Sequence, residues 1–512
     1  MHRQTAAPRY HRPQRTRSLN HPVAALLLFA LSLAAAPPPE LVPAPAAEKP
    51  PEPFVQQTFT LRSEILNETR RVTVALPASF SKTTRSYPVA VVLDGAWILS
   101  KVLPGAGELA RQGQIPEMVY AAIESHSDPD RRVHDLTPPG LSVSGSSRNE
   151  GGDRFLDFID RELLPALDRQ FRTAAPRVLI GMSSGGVLAL HAATRPTFRT
   201  IVALDPPLQL DDHWLPRRLL ARAAAAPAPL HLATLTARFE WRADLWKQLT
   251  ATAPAPWRVH YEKLANEVHV SMPLLGAYLG LRHVFAPYSK LSAPVFPTTA
   301  TLPYYDTLAA SYGGALPPPE VLLREIVEDL LLEGRAKEAR DAFNRLVTAY
   351  GEPANAAAQR QKIAEVEKQP PPTETVESLL ATPFPTPAEA AHLLGEWKGE
   401  DWMNEESRSP FKLRIRVENG KVVGESISHP APGEEFVRSL EYLKIDGPDA
   451  FTYGFRNGMR PRGMLLWEVR REGDTYKGRL RWGGVAFRGP RGDGPPPIYV
   501  QLRKSAPGRP LQ

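Results

Sequence analysis

The segment RVLIGMSSGGVLALHAA, residues 177–193, carries the strongest structural signal in the chain. RVLI has the apolar composition of a buried strand, and VLALHAA has that of a helix, so the Gly-x-Ser-x-Gly motif lies where a strand turns sharply into a helix. Gly181 and Gly185 let the two elements approach closely, and the serine between them takes strained backbone angles that expose its hydroxyl. We therefore predict Ser183, and not Ser184, as a nucleophile.

The sequence around this segment alternates between strand and helix patterns. Short apolar runs typical of buried parallel strands occur at YPVAVVL (87–93) and TIVALD (200–205). Between them, RFLDFIDRELLPALDRQF (154–171) has apolar residues near helical spacing. This alternation predicts an α/β protein with a mostly parallel central sheet, the α/β-hydrolase fold.

A serine nucleophile needs a base and an acid, which follow it in this fold in the order Ser, acid, His. His269 lies in a loop after a strand and before a helix, which favours it as the base over His260, which lies within the strand. The acid is expected on the loop after the preceding strand. Glu240 is preferred by position, and Asp244, already in a helix, is the alternative.

An oxyanion would require two backbone N–H donors, one from the residue after the nucleophile and one from the turn after Leu93. These positions predict that the backbone N–H groups of Ser184 and Ala96 are the two oxyanion donors. The Asp94-Gly95 pair makes the second turn possible.

Composition excludes several classes of site. The chain has no cysteine, so disulfides, thiolate metal sites and cysteine nucleophiles are absent. The net charge of +7 is spread among alternating acids and bases, and no nucleic-acid motif occurs, so we expect no nucleic-acid partner. We predict no metal and no cofactor, and a small-molecule ester as the binding partner.

The N-terminus has the pattern of an export signal. Residues 1–36 combine five arginines with a short apolar run, and a Pro/Ala-rich linker follows at residues 37–53. The apolar run is short for a bilayer span, where about 20 residues are needed, so we expect export to the periplasm or outside the cell, without a stable membrane span after cleavage. An uncleaved N-terminal anchor is the alternative.

Proline-rich joints divide the remainder of the chain into three folded parts. We call them the N-terminal part (residues 54–288), the helical segment (302–368) and the C-terminal module (390–505), with a linker at 369–389. Apolar residues at helical spacing in the helical segment predict two helices joined around residues 333–335. The segment resembles one tetratricopeptide repeat. One repeat cannot bury its own faces, so it should dock on the N-terminal part.

The C-terminal module has the pattern of a small antiparallel β barrel or sandwich. FKLRIRV and KVVGESI flank Asn419-Gly420, a strong hairpin signal, and further strand patterns follow. LLGEWKGEDW resembles the opening of lipocalin-like barrels, with Trp397 expected to plug the barrel.

The N-terminal part resembles the serine esterases that include enterochelin esterase and S-formylglutathione hydrolase. The resemblance rests on ordered segments that span about residues 57–286, namely VALPASF, YPVAVVLDG, GQIPEMVYAAIES, RRVHDLTPPG, GMSSGG and HVSM. It implies a serine carboxylic ester hydrolase that works through an acyl-enzyme, with siderophore-type esters as candidate substrates. Asp205-Pro206-Pro207 replaces the serine-containing turn that is usual in this family.

The substrate and the chemistry leave alternatives open. Ferric catecholate esters are anionic, so Arg131 and Arg132 could attract them, although both could equally be solvated loop residues. The same site could transfer an acyl group to an alcohol acceptor. A non-catalytic scaffold at the cell envelope is the remaining alternative.

Overall fold

The computed structural model describes residues 53–141, 151–225, 228–237, 243–254, 256–294, 297–370, 373–404, 406–429, 434–457, 463–484 and 497–505. The predicted export signal, nearly all of the 37–53 linker and Glu240 lie outside these ranges. Within them, no helix combines the length and apolarity that a bilayer crossing requires.

The N-terminal part is built on one eight-stranded sheet. Its strands are β1 Phe54–Ser63, β2 Glu68–Pro77, β3 Tyr87–Val92, β4 Val119–Ile123, β5 Thr173–Met182, β6 Thr200–Leu204, β7 Leu230–Thr236 and β8 Trp257–Lys263. Their order is β1-β2-β4-β3-β5-β6-β7-β8, in which only β1 and β2 run antiparallel to their neighbours. The predicted α/β fold with a mostly parallel sheet is therefore confirmed.

Helices cover both faces of this sheet. They are α1 Gly95–Arg111, α2 Pro129–Leu136, α3 Gly152–Phe158, α4 Leu164–Phe171, α5 Ser184–Ala192, α6 Leu210–Ala225, α7 Ala243–Thr252 and α8 Leu275–Val284. A π-helical turn, Ile159–Leu163, joins α3 to α4. Every residue of β3 and β6 is buried, because helices pack on both sides.

The helical segment docks on one face of the sheet, as expected for a single repeat that cannot bury its own faces. Its helices are α9 Thr301–Tyr312, α10 Glu320–Leu332, α11 Ala336–Tyr350 and α12 Ala356–Glu367. Apolar side chains of all four share one hydrophobic cluster with α1, α8 and the sheet. The segment thus belongs to the core of the N-terminal part.

His231 joins β7 to α9 and makes stability depend on pH. Its ring is buried, stacks on Tyr312 at 4.1 Å between centroids, and lies 2.8 Å from the Ser311 hydroxyl. Burial lowers the pKa of His231 from 6.5 to about 4. The folded state therefore binds this proton more weakly than the unfolded state, so stability present above pH 6.5 is lost as pH falls towards 4.

We expect the free energy of unfolding to fall by roughly 2 kcal/mol between pH 7.5 and pH 5 because of this one group. Urea unfolding of the wild type and of His231→Gln at both pH values measures this fall in the free energy of unfolding. The glutamine variant should show a correspondingly smaller fall. Equal pH dependence in the two proteins would contradict the assignment.

Glu333, at the end of α10, should have the opposite pH dependence. It is 7% exposed and accepts a hydrogen bond from Thr298, and burial raises the pKa of its carboxyl to about 7. The stability that this group contributes is complete below pH 4.5 and is lost as pH rises through 7. Glu333→Gln keeps an acceptor for Thr298 without charge, so we expect a gain of about 2 kcal/mol at pH 8 and little change at pH 4.5. Urea titrations at both pH values test this.

The C-terminal module is one continuous antiparallel sheet of nine strands. They are β9 Gly395–Trp402, β10 Ser409–Glu418, β11 Lys421–Ser428, β12 Phe436–Ser439, β13 Tyr442–Gly447, β14 Ala450–Arg456, β15 Met464–Glu472, β16 Thr475–Gly483 and β17 Tyr499–Lys504. The order is β12-β11-β10-β9-β17-β16-β15-β14-β13. A short helix, α13 Val376–Leu380, precedes it and packs against β13 and β15.

The hairpin predicted in this module is confirmed, and Trp397 is buried. Asn419 and Gly420 both have positive φ and form the two-residue turn between β10 and β11, with Glu418 paired to Lys421. Trp397 is 3% exposed and packs edge-on against Tyr476, and its Nε1–H donates to the Leu393 carbonyl at 2.8 Å. Its indole therefore belongs to the module's core.

Candidate active site

Ser183 occupies the strained turn between β5 and α5. Its backbone has φ 56° and ψ −124°, angles that a non-glycine residue rarely adopts. A Cβ on Gly181 would lie 2.1 Å from the Gly185 carbonyl oxygen, so the close approach of strand and helix requires glycine there. The motif thus has the backbone geometry of a nucleophile elbow.

His269 begins a 3₁₀ turn after β8 and is oriented by a buried carboxylate. Its Nδ1 lies 2.5 Å from Asp205 Oδ2, and Asp205 is fully buried. The Thr236 hydroxyl and the Ala237 N–H donate to the other carboxylate oxygen at 2.8 and 3.0 Å. These bonds fix the carboxylate, which in turn orients the imidazole so that Nε2 is the nitrogen that can accept a proton.

The register of β5 and β6 places Ser183 beside Asp205. Met182 pairs with Leu204 in this parallel pair, and the N–H of Ser183 donates to the Leu204 carbonyl at 2.9 Å. The next residues, Ser183 and Asp205, therefore leave adjacent strands at the same carboxyl edge. Ligand and catalytic sites of open α/β sheets lie at this edge.

The carboxylate that contacts His269 is thus one that sequence reasoning did not select. The preferred Glu240 lies outside the described residues, and the alternative Asp244 is exposed on α7. The chain order Ser, acid, His favours an acid after β7, whereas Asp205 comes directly after β6. The sequence signal for Asp205 is a carboxylate directly after a buried strand, and the structure shows that its backbone there has φ 44°.

The two predicted oxyanion donors differ in their surroundings. Ser184 is the first residue of α5, so its N–H has no acceptor within the helix. The N–H of Ala96, however, donates to Glu124 Oε1 at 2.9 Å. Glu124 would have to move before Ala96 could bind an oxyanion.

The two arginines proposed for substrate attraction are held by acids. Arg132 makes two hydrogen bonds to Asp94, of 2.6 and 2.8 Å, and this pairing raises the arginine pKa. Asp94 itself lies against the nucleophile turn, because a Cβ on Gly185 would be 3.0 Å from its Oδ2. Arg131 is more exposed and contacts Glu68 at 3.2 Å. Arg132 therefore lies next to the site with its charge balanced, and Arg131 is the more accessible cation.

A cluster of His260, Glu262 and His283 has the residue types of a metal site. Both histidine Nε2 atoms lie near Glu262 Oε2, at 3.1 and 3.5 Å. The two imidazoles, however, stack nearly parallel with centroids 3.3 Å apart. Ring stacking and the carboxylate that both histidines share therefore hold this cluster together.

Comparison with known proteins finds similarity to esterases over part of the chain. The family model described as "Putative esterase" matches residues 63–270. The chain is 29% identical over 129 residues to the uncharacterized protein YbbA of Bacillus subtilis. The matched region covers 24% of this chain and 50% of that protein. Over 105 residues it is 38% identical to the siderophore triacetylfusarinine C esterase of Aspergillus fumigatus, covering 20% of this chain and 35% of that enzyme.

The chain thus spans half or less of these two curated relatives. The crystal structure of an IroE-like serine hydrolase from Shewanella oneidensis matches with 25% sequence identity and a TM-score of 0.45. The match covers 60% of this chain and 99% of the hydrolase chain. The family match includes Ser183, Asp205 and His269, and it agrees with the resemblance found in the sequence. Residues 63–270 of this chain are therefore similar to the family described as "Putative esterase".

Proposed function

We propose that the protein hydrolyses carboxylic esters through an acyl-enzyme on Ser183. The observation that supports this most is the buried Asp205 carboxylate on His269, next to a serine in the strained turn between β5 and α5. A strained serine alone could be a tight turn. Here Asp205 follows the strand next to that of Ser183 and orients His269, and a histidine held by a desolvated carboxylate is the kind of base that activates a hydroxyl.

In the proposed first half-reaction, His269 Nε2 removes the proton as Ser183 Oγ attacks the ester carbonyl carbon. The imidazolium that forms is stabilised by Asp205, which stays ionised. The Ser184 N–H stabilises the tetrahedral oxyanion. The imidazolium then returns its proton to the departing alcohol oxygen, and the acyl group remains on Ser183.

In the second half-reaction, water replaces the alcohol. His269 takes a proton from water as its oxygen attacks the acyl carbon, and then returns a proton to Ser183 Oγ as the carboxylic acid leaves. An alcohol acceptor in place of water would give acyl transfer instead.

The surface around the site supports an apolar or bulky ester. Val268, Val270 and Leu274 are exposed next to His269, and Trp97 is exposed one residue after Ala96. Exposed apolar side chains close to a site in sequence are candidates for ligand contacts. The relative named for a siderophore ester makes siderophore-type esters the first substrates to test.

The test is hydrolysis by the full chain of 4-nitrophenyl acetate, butyrate and octanoate, and of a ferric catecholate trilactone. We expect hydrolysis of at least one class, with the octanoate preferred over the acetate because of the apolar rim. Hydrolysis of nitrophenyl esters without the trilactone would remove the siderophore assignment. Failure of every ester, together with no labelling by a fluorophosphonate, would overturn the enzyme proposal.

A further inference from the structure

The C-terminal module contains an open cavity that its core packing does not fill. One end of the module is closed by Trp397, Phe451 and Tyr476, which pack against one another. Beyond them the sheet encloses about 690 Å³. Protein interiors rarely keep voids larger than a water molecule, whereas small-molecule sites enclose about 300–1,000 Å³.

The two halves of the sheet give this cavity different walls. β14, β15 and β16 contribute large aromatic faces, from Tyr453, Phe455, Trp467 and Trp482. β10 and β11 contribute the hydroxyls of Ser409, Ser426 and Ser428. Strands from opposite ends of the sheet therefore line one space, which shows that the sheet curls on itself.

Arg438, on β12, supplies a cation inside this aromatic lining. Its guanidinium lies 4.7 Å from the ring centre of Phe455 and 5.0 Å from that of Phe436. The structure shows no carboxylate paired with it among the described residues. A half-buried guanidinium with only ring contacts retains its capacity for two parallel hydrogen bonds to a carboxylate.

Two buried donors in the same lining are also unpartnered. Tyr453 is 1% exposed and Trp467 is 7% exposed, and neither the Tyr453 hydroxyl nor the Trp467 indole N–H has a hydrogen-bond partner in the described part of the chain. A buried unpaired polar group costs about 1–3 kcal/mol. Neither polar atom reaches the cavity surface, so the ring faces of these two residues are the parts that a ligand would contact.

We propose that this cavity binds a small aromatic carboxylic acid. The ring system lies against Trp467 and Phe455, and the carboxylate pairs with Arg438. Flat aromatic walls favour a ring over an alkyl chain, because stacking and edge contacts add to simple burial. The lining contains one arginine, Arg438, and one carboxyl group, Asp401, whose pKa is raised by burial, so the site favours no more than a monoanion. This site is separate from the Ser183 site and does not depend on ester hydrolysis.

The probe is 2-naphthoate, whose binding to the full chain is followed by calorimetry. Decanoate and 2-naphthol are the comparison ligands. We expect 2-naphthoate to bind at least about tenfold more tightly than either, because decanoate lacks the ring and 2-naphthol lacks the carboxylate. Tighter binding of decanoate would overturn the aromatic assignment in favour of an alkyl-chain site.

Two variants assign the binding to this cavity. Arg438→Gln should weaken 2-naphthoate about tenfold and leave 2-naphthol unchanged, which also shows that the cavity remains folded. Ser428→Phe should reduce binding of both ligands by filling the space. The matched control is Arg479→Gln, an exposed arginine on β16 that is absent from the cavity lining. Equal 2-naphthoate affinity in wild type, Arg438→Gln and Ser428→Phe would overturn the proposal, as would no binding at all.

Discussion

Replacing Ser183 with alanine is expected to reduce ester hydrolysis by at least about a thousandfold in kcat, because no acyl-enzyme can form without the hydroxyl. Labelling by a fluorophosphonate should be lost as well. Steady-state rates with the best nitrophenyl ester and in-gel fluorescence measure the two effects. The strained backbone at residue 183 tolerates alanine no worse than serine, so the melting temperature should change little.

The neighbouring serine provides a matched control for this prediction. Ser184 is proposed to contribute only its backbone N–H, which alanine retains. Ser184→Ala should therefore keep its labelling and most of its activity. If Ser183→Ala were labelled as strongly as the wild type, the nucleophile would have to lie elsewhere.

Replacing Asp205 with asparagine is expected to lower kcat by roughly three to four orders of magnitude, with a smaller change in KM. The asparagine oxygen can still accept from Thr236 and Ala237, so the buried turn keeps its hydrogen bonds. Its amide group would instead face His269 Nδ1 and favour the tautomer that carries the proton on Nε2. That tautomer cannot accept the serine proton.

Glu240→Gln and Asp244→Asn are the controls, since sequence position alone favoured those two residues as the acid. We expect each to keep activity within about twofold. Thermal unfolding should accompany the kinetics, because Asp205 is fully buried and its loss could also destabilise the domain. A large loss in Glu240→Gln with normal activity in Asp205→Asn would reverse the assignment.

The Glu124 carboxylate accepts a hydrogen bond from the Ala96 N–H, one of the two expected oxyanion donors. The carboxylate also sits so close to Gly95 that a Cβ there would be 2.1 Å from Glu124 Oε2. The φ of 73° at position 95 favours glycine, and a Cβ there would also force the Glu124 side chain to move. Ser184 supplies the other expected donor, and its N–H has no acceptor within its helix.

Local sequence determined much of this protein. Residues close together in the chain specify the strand and helix pattern of the sheet, the sharp turn at Ser183, the 419–420 hairpin and the helix pair α10–α11. The helical segment has four helices, of which the predicted pair is α10 and α11. Periodicity, glycine and turn chemistry encode such elements directly. His269 was also found from local order, because it lies in a loop between a strand and a helix.

Only the tertiary structure decided which acid contacts the histidine. Asp205 and His269 are 64 residues apart, and the pairing of β5, β6 and β7 brings them together at one sheet edge. The Glu124 contact with Ala96 and the cavity of the C-terminal module arise in the same way, from strands that are distant in sequence. Strand order and sheet curvature depend on packing over the whole fold, and no short segment contains that information.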